Sequence, residues 1–427
     1  MRWWGERGEH AVRRVSCSGT DRDPAPESGS VAATRCIPVA GSHADPESGG
    51  IAFAAAIAVA VAVAGTLTPR SPGTARITIR EIESGVQTSY SVEVLPADPA
   101  SQIAPAYEIT DLRLPSQFAG MGEAVGVNDN GQVVGWVVDG TADTVDKRRA
   151  FLWQNGAYTL LGVPEGQQYS AAYDINNKGQ IVGGGRTLGL EVSVGWVWKS
   201  GMFTPITLPG APQFRDSIHA QTINEAGEVA GFASGYAFFR RSVEGVVSTK
   251  VTYGSSSDSN PRFVDINESG DVAYSFSSNG ASSSSIWRRD GETVSLQPTY
   301  FTGGVSAITD DGTTVGFSRY PTAYGYGATL WPPRSDGVAL LPEVTTDFTM
   351  ATDANNGGLV VGYRSFGDSA VAFIVKSGQP SVSLRDRIPA NSGWVLLRAN
   401  GINEKGQIVG VGRRGSQLRG FLLTPKF

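Results

Sequence analysis

Histidine, one of the side chains that most often carry out chemistry in proteins, is scarce in this sequence. The chain has 3 histidines in 427 residues, and only His219 lies in its repetitive part. Asp216 precedes it closely, so one hypothesis is a general base, His219, that Asp216 orients. The alternative is a loop histidine next to a strand, since no second catalytic motif accompanies the pair. We favour the alternative and predict no catalytic residue.

Two loop carboxylates support a different enzymatic alternative, a carbohydrate-active hydrolase or lyase. Asp216 and Asp347 both lie in segments that we expect to be loops. Glycoside hydrolysis needs two carboxyl groups roughly 5 to 9.5 Å apart. Only their positions in loops recommend this pair, so a noncatalytic protein remains the first interpretation.

Several turns resemble calcium-binding loops because oxygen-bearing residues precede a glycine. Residues 265–271 come closest, followed by 309–312. In the equivalent turn at 174–179, however, Lys178 stands where a ligand should be, and Ca²⁺ needs several carboxylate or carbonyl oxygens. Asparagine used as a turn former explains these segments without an ion, so we predict no metal and no cofactor.

Aromatic and charged side chains near the loops between repeats are the candidate ligand-binding residues. Loops held by a rigid scaffold often carry function, and aromatic rings there could stack on a glycan or hold a peptide. The alternative is that these rings fill gaps between repeats. The candidates are Tyr169, Phe214, Arg215, Asp216, Tyr300, Phe301, Phe348 and Trp394.

A motif that occurs seven times determines how these loops are positioned. It reads Ile-Asn-x-x-Gly-x-Val-Val-Gly in its fullest form, and we call it the Asn motif. A period of about 46 residues is the size of a four-stranded propeller blade, roughly 40–50 residues. The first glycines of the seven copies are Gly131, Gly179, Gly227, Gly270, Gly312, Gly358 and Gly406.

Each repeat contains four short runs with strand character, separated by Asn, Asp, Gly and Ser. Asn-x-x-Gly predicts a tight turn between the first and second strands, since Asn bonds to nearby backbone and Gly adopts positive φ. Small residues in the first strands favour placing these strands innermost. The recurring tryptophans of the third strands are expected to fill the core: Trp153, Trp198, Trp287 and Trp331.

The two ends of the repetitive region indicate how a ring would close. The last repeat ends after its third strand, 420–423, while an extra strand-like segment, 107–115, precedes the first repeat. Pairing them would remove an exposed sheet edge. We therefore expect an all-β, seven-bladed β-propeller of four-stranded antiparallel blades over residues 104–427, closed by an N-terminal strand that completes the last blade.

The Asn motif also resembles the HAF repeat of predicted extracellular bacterial proteins. The resemblance covers most of 105–427 and is strongest in repeats one, two and seven, whereas Tyr274 and Thr309 depart from it. It implies an exported repeat protein and assigns no activity or cofactor. We therefore expect a binding or scaffold protein whose partner is a glycan, a peptide or another protein.

The first hundred residues differ in composition from the repeats. Residues 1–50 are predicted to be disordered or to precede the true start, and 51–65 is an apolar, signal-like segment that predicts export to the envelope or the medium. Residues 66–103 form a linker with an expected hairpin. If it stays uncleaved, 51–65 is the only segment expected to contact a membrane.

Composition excludes some partners. The net charge of −5 is spread along the chain without a basic stripe, so we expect no nucleic-acid binding. Both cysteines, Cys17 and Cys36, precede the apolar segment, so a cleaved protein would contain none. We expect the protein to be a monomer.

Overall fold

The computed structural model divides into two units, Met1–Asp98 and Pro99–Phe427. In the first unit β1 (Val12–Ser16), β2 (Gly73–Arg80) and β3 (Gln87–Val94) form an antiparallel sheet in the order β1-β3-β2. The residues that the structure describes are 12–16, 73–80, 87–94, 101–112, 122–139, 147–187, 193–207, 217–233, 236–243, 246–253, 260–278, 281–296, 303–319, 325–333, 338–340, 348–366 and 369–427.

The second unit begins with β4 (Ala106–Asp111) and continues with six blades, each made of four consecutive antiparallel strands. Blade 1 contains β5 (Gly122–Val127), β6 (Val133–Val138), β7 (Arg148–Gln154) and β8 (Ala157–Gly162). Blade 2 contains β9 (Gln167–Ile175), β10 (Ile181–Thr187), β11 (Ser193–Lys199) and β12 (Met202–Pro205). Blade 3 contains β13 (Ile218–Ile223), β14 (Val229–Ala233), β15 (Tyr236–Val243) and β16 (Val246–Tyr253).

The other three blades follow the same plan. Blade 4 contains β17 (Asn260–Ile266), β18 (Val272–Ser278), β19 (Ala281–Trp287) and β20 (Thr293–Ser295). Blade 5 contains β21 (Gly303–Ile308), β22 (Thr314–Arg319), β23 (Tyr326–Trp331) and β24 (Val338–Ala339). Blade 6 contains β25 (Phe348–Ala354), β26 (Leu359–Phe366), β27 (Ser369–Lys376) and β28 (Val382–Ser383).

A composite sheet closes the ring, and it corrects the expected blade count. The closing sheet joins β29 (Trp394–Ile402), β30 (Ile408–Arg414) and β31 (Gln417–Lys426) to β4, with Leu422 opposite Thr110. The count of seven blades is therefore corrected to six blades of consecutive strands plus this composite sheet. The repeat count overstated the blades because the seventh copy of the motif has only three strands after it and takes its fourth from before the first copy. The all-β class, the four-stranded antiparallel sheets and the closing strand are confirmed.

The sheets stand side by side in chain order around a central axis. The first strand of each sheet contacts the first strand of the next, and β29 of the closing sheet contacts β5 of blade 1. The first strands are therefore innermost, as their small residues predict. The four predicted core tryptophans, Trp153, Trp198, Trp287 and Trp331, are all buried.

The Asn motif forms the turn between the first two strands. In its first copy Asn128 Oδ1 accepts hydrogen bonds from the backbone N–H of Asn130 and of Gln132. The Gly131 N–H donates to the Asn128 carbonyl, and the φ of Gly131 is 70°. The first glycine of every copy has positive φ, which explains why glycine occupies this position.

The same asparagines also join neighbouring sheets, which the sequence did not reveal. Asn128 Nδ2 donates to the carbonyl of Asn176 in blade 2, at 2.9 Å, and both groups are buried. Asn403 Nδ2 donates to the carbonyl of Asn128 at 2.9 Å, so this bond also connects the closing sheet to blade 1. A buried amide that satisfies a turn and a neighbouring carbonyl together costs little desolvation.

The residue after each motif asparagine forms a second, closed circuit of hydrogen bonds. At each link the backbone N–H of one turn donates to the side-chain oxygen of the next. The circuit begins with Asp129 to Asn177 at 2.8 Å and ends with Glu404 to Asp129 at 3.0 Å. The members are Asp129, Asn177, Glu225, Glu268, Asp310, Asn356 and Glu404.

Blade 5 shows how the turn tolerates the loss of asparagine. Thr309 stands in its place, and Asp311 Oδ1 accepts from both the Thr309 hydroxyl and the Thr313 N–H. The turn is preserved by Asp311, but threonine has no amide to donate to the next blade. Other bonds, including that from the Asp310 N–H to Asn356, hold blades 5 and 6 together there.

We predict that Asn403→Ala destabilises the propeller by about 2 kcal/mol or more, because it leaves buried groups of the turn and the Asn128 carbonyl unpaired. Chemical denaturation of both proteins measures the loss. Asn130→Ala is the matched control, since Asn130 is an exposed asparagine of the same motif, and it should change stability by about 0.5 kcal/mol or less. Equal losses in the two variants would contradict a special role for the buried amide.

Candidate functional site

The functional candidates lie on the innermost strands and at one end of the propeller. The Asn-motif turns and the hairpins between third and fourth strands lie at one end, the turn face. The connections between second and third strands, and between sheets, lie at the other, the loop face. All six blades and the closing sheet carry a β-bulge in the innermost strand, for example at Tyr173, opposite Val182 and Gly183 of β10. Bulges turn side chains away from the regular alternation, here near the axis.

Three aspartates face this axis from alternate blades: Asp174 of blade 2, Asp265 of blade 4 and Asp353 of blade 6. We call them the axial aspartates. They affect each other's ionisation although they belong to sheets that are not neighbours, so their carboxyl groups share the central space. Protein surrounds all three, yet each keeps partial solvent accessibility. They therefore line a channel along the axis.

Each axial aspartate accepts a hydrogen bond from the innermost strand of the following sheet. Asp174 accepts from the Ile223 N–H at 2.9 Å, and Asp353 accepts from the Ile402 N–H at 2.8 Å. Asp265 accepts from the Ile308 N–H at 2.8 Å. The following sheets have smaller residues at the aspartate position, so these carboxyl groups also hold neighbouring sheets together. The smaller residues are Thr222, Ala307 and Gly401.

Burial raises the pKa values of all three axial aspartates. It raises the pKa of Asp265 to about 6 and that of Asp353 well above its usual range, where the charges of Asp265 and Asp174 add to the effect. Thr222 Oγ1 lies 2.7 Å from Asp265 Oδ1 and 3.1 Å from Asp174 Oδ2. One hydroxyl hydrogen cannot serve both contacts, so a protonated carboxyl group satisfies this geometry best.

An aromatic patch lies near the loop face where blades 5 and 6 meet. Phe348 at the start of β25 lies 5.8 Å from Phe317, 5.9 Å from Tyr326 and 5.9 Å from Tyr363, between ring centroids. All four rings are half-buried, so each keeps a surface accessible to a partner. We call Phe317, Tyr326, Phe348 and Tyr363 the aromatic patch.

A charged pair lies next to the patch on the side of the axis. Arg398 of the closing sheet donates to Glu123 Oε1 of blade 1 at 2.9 Å, and Asn400 Nδ2 donates to the same oxygen at 3.0 Å. Both charges act on the Tyr363 hydroxyl, whose pKa burial raises. That hydroxyl lies 3.7 Å from Met350 Sδ. The patch thus borders a polar group that can donate and accept hydrogen bonds.

The candidate residues from the sequence are distributed over different environments. Tyr169 and Trp394 are buried, and Trp394 packs against Phe421 with a centroid distance of 6.2 Å. Phe348 is half-buried at the centre of the aromatic patch. His219 stacks on Phe232 at 4.8 Å, and burial lowers its pKa. Five candidates lie outside the described residues: Phe214, Arg215, Asp216, Tyr300 and Phe301.

Sequence reasoning missed the axial aspartates and three members of the patch. A signal was present, because the residue directly before the motif's Ile changes from Gly126 to Asp174, Thr222 and Asp265 between copies. Its variation beside constant turn residues indicates a position that blade packing does not fix. Asp347, the second carboxylate of the enzymatic alternative, also lies outside the described residues.

Metal ions and a lipid bilayer are two further classes of binding partner. Among the residues that the structure describes, no group of three or more His, Cys, Asp and Glu side chains could hold a metal ion. Within the same residues, no helix has the length and apolar character needed to span a bilayer. The apolar segment 51–65 is outside this part of the chain.

Comparison with protein families and with curated proteins gives no match. Solved structures that resemble the chain include a catalytically inactive virginiamycin B lyase from Staphylococcus aureus with quinupristin, at 12% identity and a TM-score of 0.48 over 75% of this chain and 100% of that one. YCF48 bound to D1 peptide has 14% identity and a TM-score of 0.47 over 77% of this chain and 100% of that one. The Dos1 propeller has 10% identity and a TM-score of 0.44 over 77% of this chain and 97% of that one. At this distance the β-propeller assignment rests on the sheet order of the chain itself.

The axial aspartates predict a pH-dependent stability. The folded state holds the proton of Asp265 more tightly than the unfolded chain, so the contribution of Asp265 to the free energy of unfolding is fully present below pH 3.8 and is lost as pH rises through about 6. Asp265→Asn keeps an oxygen for the Ile308 N–H and removes the charge. We expect this variant to match the wild type near pH 3 and to be more stable at pH 8 by up to about 3 kcal/mol.

Urea denaturation at a series of pH values measures the effect. Asp139→Asn is the control, since this aspartate is exposed near the loop face and is not one of the axial aspartates, so it measures the effect of removing a surface carboxylate. Identical pH profiles for the wild type and Asp265→Asn would contradict the raised pKa.

Proposed function

We propose that this protein is a noncatalytic binding propeller that holds a peptide segment of a partner at the aromatic patch. The observation that carries this proposal is the cluster of four half-buried rings near the loop face, Phe317, Tyr326, Phe348 and Tyr363. Aromatic side chains that retain accessible surface contribute strongly to protein interfaces. The turn face, by contrast, uses its polar side chains to bond the sheets to one another.

The angles between the rings favour an apolar peptide side chain over a sugar. Neighbouring planes in the patch are inclined by 41° to 71°, so the rings do not form a flat platform. A sugar stacks on the face of a ring, whereas inclined rings form the sides of a small apolar pocket. A side chain such as Leu, Met or Phe matches this shape.

The Arg398–Glu123 pair suits a peptide backbone beside that side chain. Its guanidinium donors and carboxylate acceptor border the patch through Tyr363. The Arg398 side chain has 43% of its surface exposed to solvent. It can therefore contact a ligand while it remains paired with Glu123. An apolar anchor with polar groups at its rim is the usual anatomy of a peptide site.

We also propose that the binding occurs outside the cytoplasm. The apolar run at 51–65 and the resemblance to HAF repeats support this proposal. N-terminal sequencing of protein recovered from the medium and from the cell envelope tests it. A mature chain beginning near residue 65 is the expected result, and an intact chain found only in the cytoplasm would contradict export.

We predict that Phe348→Ala weakens peptide binding by about 2 kcal/mol, close to a 30-fold rise in Kd, because the central ring of the patch is removed. Peptides are first selected on the wild-type protein from a random display library, and their affinities are then measured by calorimetry. Phe427→Ala is the matched control, since Phe427 is an exposed aromatic residue away from the patch. Its affinities should equal those of the wild type.

Two results would overturn the proposal. One is an unchanged affinity in Phe348→Ala for every selected peptide. The other is saturable binding to a glycan array together with no selected peptide, which would replace the peptide by a carbohydrate ligand. Thermal unfolding of Phe348→Ala shows whether a loss reflects the missing ring or a damaged blade.

A further inference from the structure

An exposed arginine lies beside the aromatic patch. Arg319 ends β22 and is directly opposite Tyr326 in the pairing of β22 with β23. Residues two apart along a strand point to the same face, so Arg319 also shares a face with Phe317. The ring centroids of Phe317 and Tyr326 are 5.9 Å apart, in agreement with this placement. The Arg319 side chain therefore borders the surface that the patch presents.

Arg319 has no partner within the protein. No hydrogen bond, ion pair or ring contact joins it to another residue in the part of the chain that the structure describes, and the residue is exposed. Most exposed arginines are solvated and contribute little, so the position of this one decides what it can do. It lies next to accessible rings that suit an apolar side chain, so its charge is available to a ligand that those rings hold.

The charged groups around the patch are mainly positive. Arg364 of blade 6 lies on the face turned to blade 5, because it is opposite Thr349, whose hydroxyl donates to the Tyr326 carbonyl at 3.4 Å. Arg398 pairs with Glu123 on the side of the axis. Both of these arginines already interact within the protein, whereas Arg319 does not. Among the described residues beside the rings, positive charge therefore exceeds negative charge.

We propose that the aromatic patch binds an acidic peptide, whose apolar side chain packs among the rings while an Asp or Glu side chain of the same peptide pairs with Arg319. This inference rests on the proposed peptide-binding function and names the class of peptide. A guanidinium presents parallel donors that match the two oxygens of a carboxylate. The attraction between the two charges is stronger where neighbouring rings exclude part of the water.

The geometry also determines the spacing between the two peptide residues. Opposite residues of antiparallel strands have Cβ atoms about 5 Å apart, which is the expected separation of Arg319 from Tyr326. In an extended peptide, side chains that point the same way are two residues and about 7 Å apart. The flexible Arg319 side chain covers the difference. We therefore expect the acidic residue two positions before or after the apolar anchor.

The peptides selected on the wild-type protein supply the probe. Each is synthesised with an acetylated N-terminus and an amidated C-terminus, so that its carboxylates come from side chains alone. A neutral counterpart carries Gln for Glu and Asn for Asp. We expect an acidic residue two positions from the apolar anchor in most selected peptides, and an about fivefold higher Kd for the neutral counterpart. Raising NaCl from about 50 to about 500 mM should weaken binding of the acidic peptide more than that of its counterpart.

Variants of the protein then locate the carboxylate. Arg319→Gln should raise the Kd of the acidic peptide about fivefold and leave that of the neutral counterpart unchanged. Arg319→Glu should reverse the preference, so that a peptide with Lys at the acidic position binds more tightly than the original. Arg385→Gln is the matched control, since Arg385 is exposed in the short 3₁₀ helix Leu384–Arg387, which follows an outermost strand. Its affinities should equal those of the wild type.

The outcomes separate this inference from the proposed function. Selected peptides that bind without an acidic residue near the anchor, or an unchanged Kd of the acidic peptide in Arg319→Gln, would overturn the inference and leave the peptide site intact. An equal loss in Arg385→Gln would also overturn it, because the peptide would then respond to overall charge. If no peptide is selected, or if Phe348→Ala binds every peptide as the wild type does, the peptide site itself fails and the inference fails with it.

Discussion

The bond from a motif asparagine to the next sheet is the interaction on which the rest of this propeller depends. A four-stranded sheet of this size cannot bury both of its faces alone, so each must be fixed to a neighbour. Asn128 does this with one side chain, since its oxygen completes a turn and its amide reaches the carbonyl of Asn176. Local turn formation and global assembly therefore use the same residue, and a strand that forms the turn correctly is already prepared to bind its neighbour.

Because the asparagine bonds already join the sheets, the side chains of the innermost strands that face the axis can differ from one sheet to the next. The turns and the asparagine bonds hold the turn face, so the innermost strands do not need identical side chains along the channel. Asp174, Asp265 and Asp353 add a second set of bonds between sheets, at the cost of burying three carboxyl groups close together. Burial keeps their pKa values high, which lowers the repulsion that three ionised groups would cause. The channel is thus polar without being strongly charged at mildly acidic pH.

Most of the fold could be predicted from the sequence because it depends on local signals repeated at a fixed period. The turn at Asn128, the positive φ of Gly131 and the burial of Trp153 follow from short-range patterns. The blade count was the weaker point, because each copy of the motif marks the start of a sheet, and the count of copies included the composite closing sheet as a seventh blade. The hydrogen bond from the Asn403 side-chain amide to the Asn128 carbonyl joins residues that are 275 positions apart in the sequence. The residues of either turn alone do not predict this contact.

The candidate sites were less predictable, for a physical reason that the residues illustrate. Phe348 was found because aromatic residues in loops are conspicuous, but Phe317, Tyr326 and Tyr363 come from two strands of blade 5 and one of blade 6 and meet Phe348 only in three dimensions. The axial aspartates were missed for the same reason, since Asp174, Asp265 and Asp353 belong to different blades and come close only around the axis. Where the copies agree, their residues serve turns and packing. Where the copies differ, as at Gly126, Asp174 and Thr222, the side chain faces the axis, and its role depends on residues of other sheets that no single repeat contains.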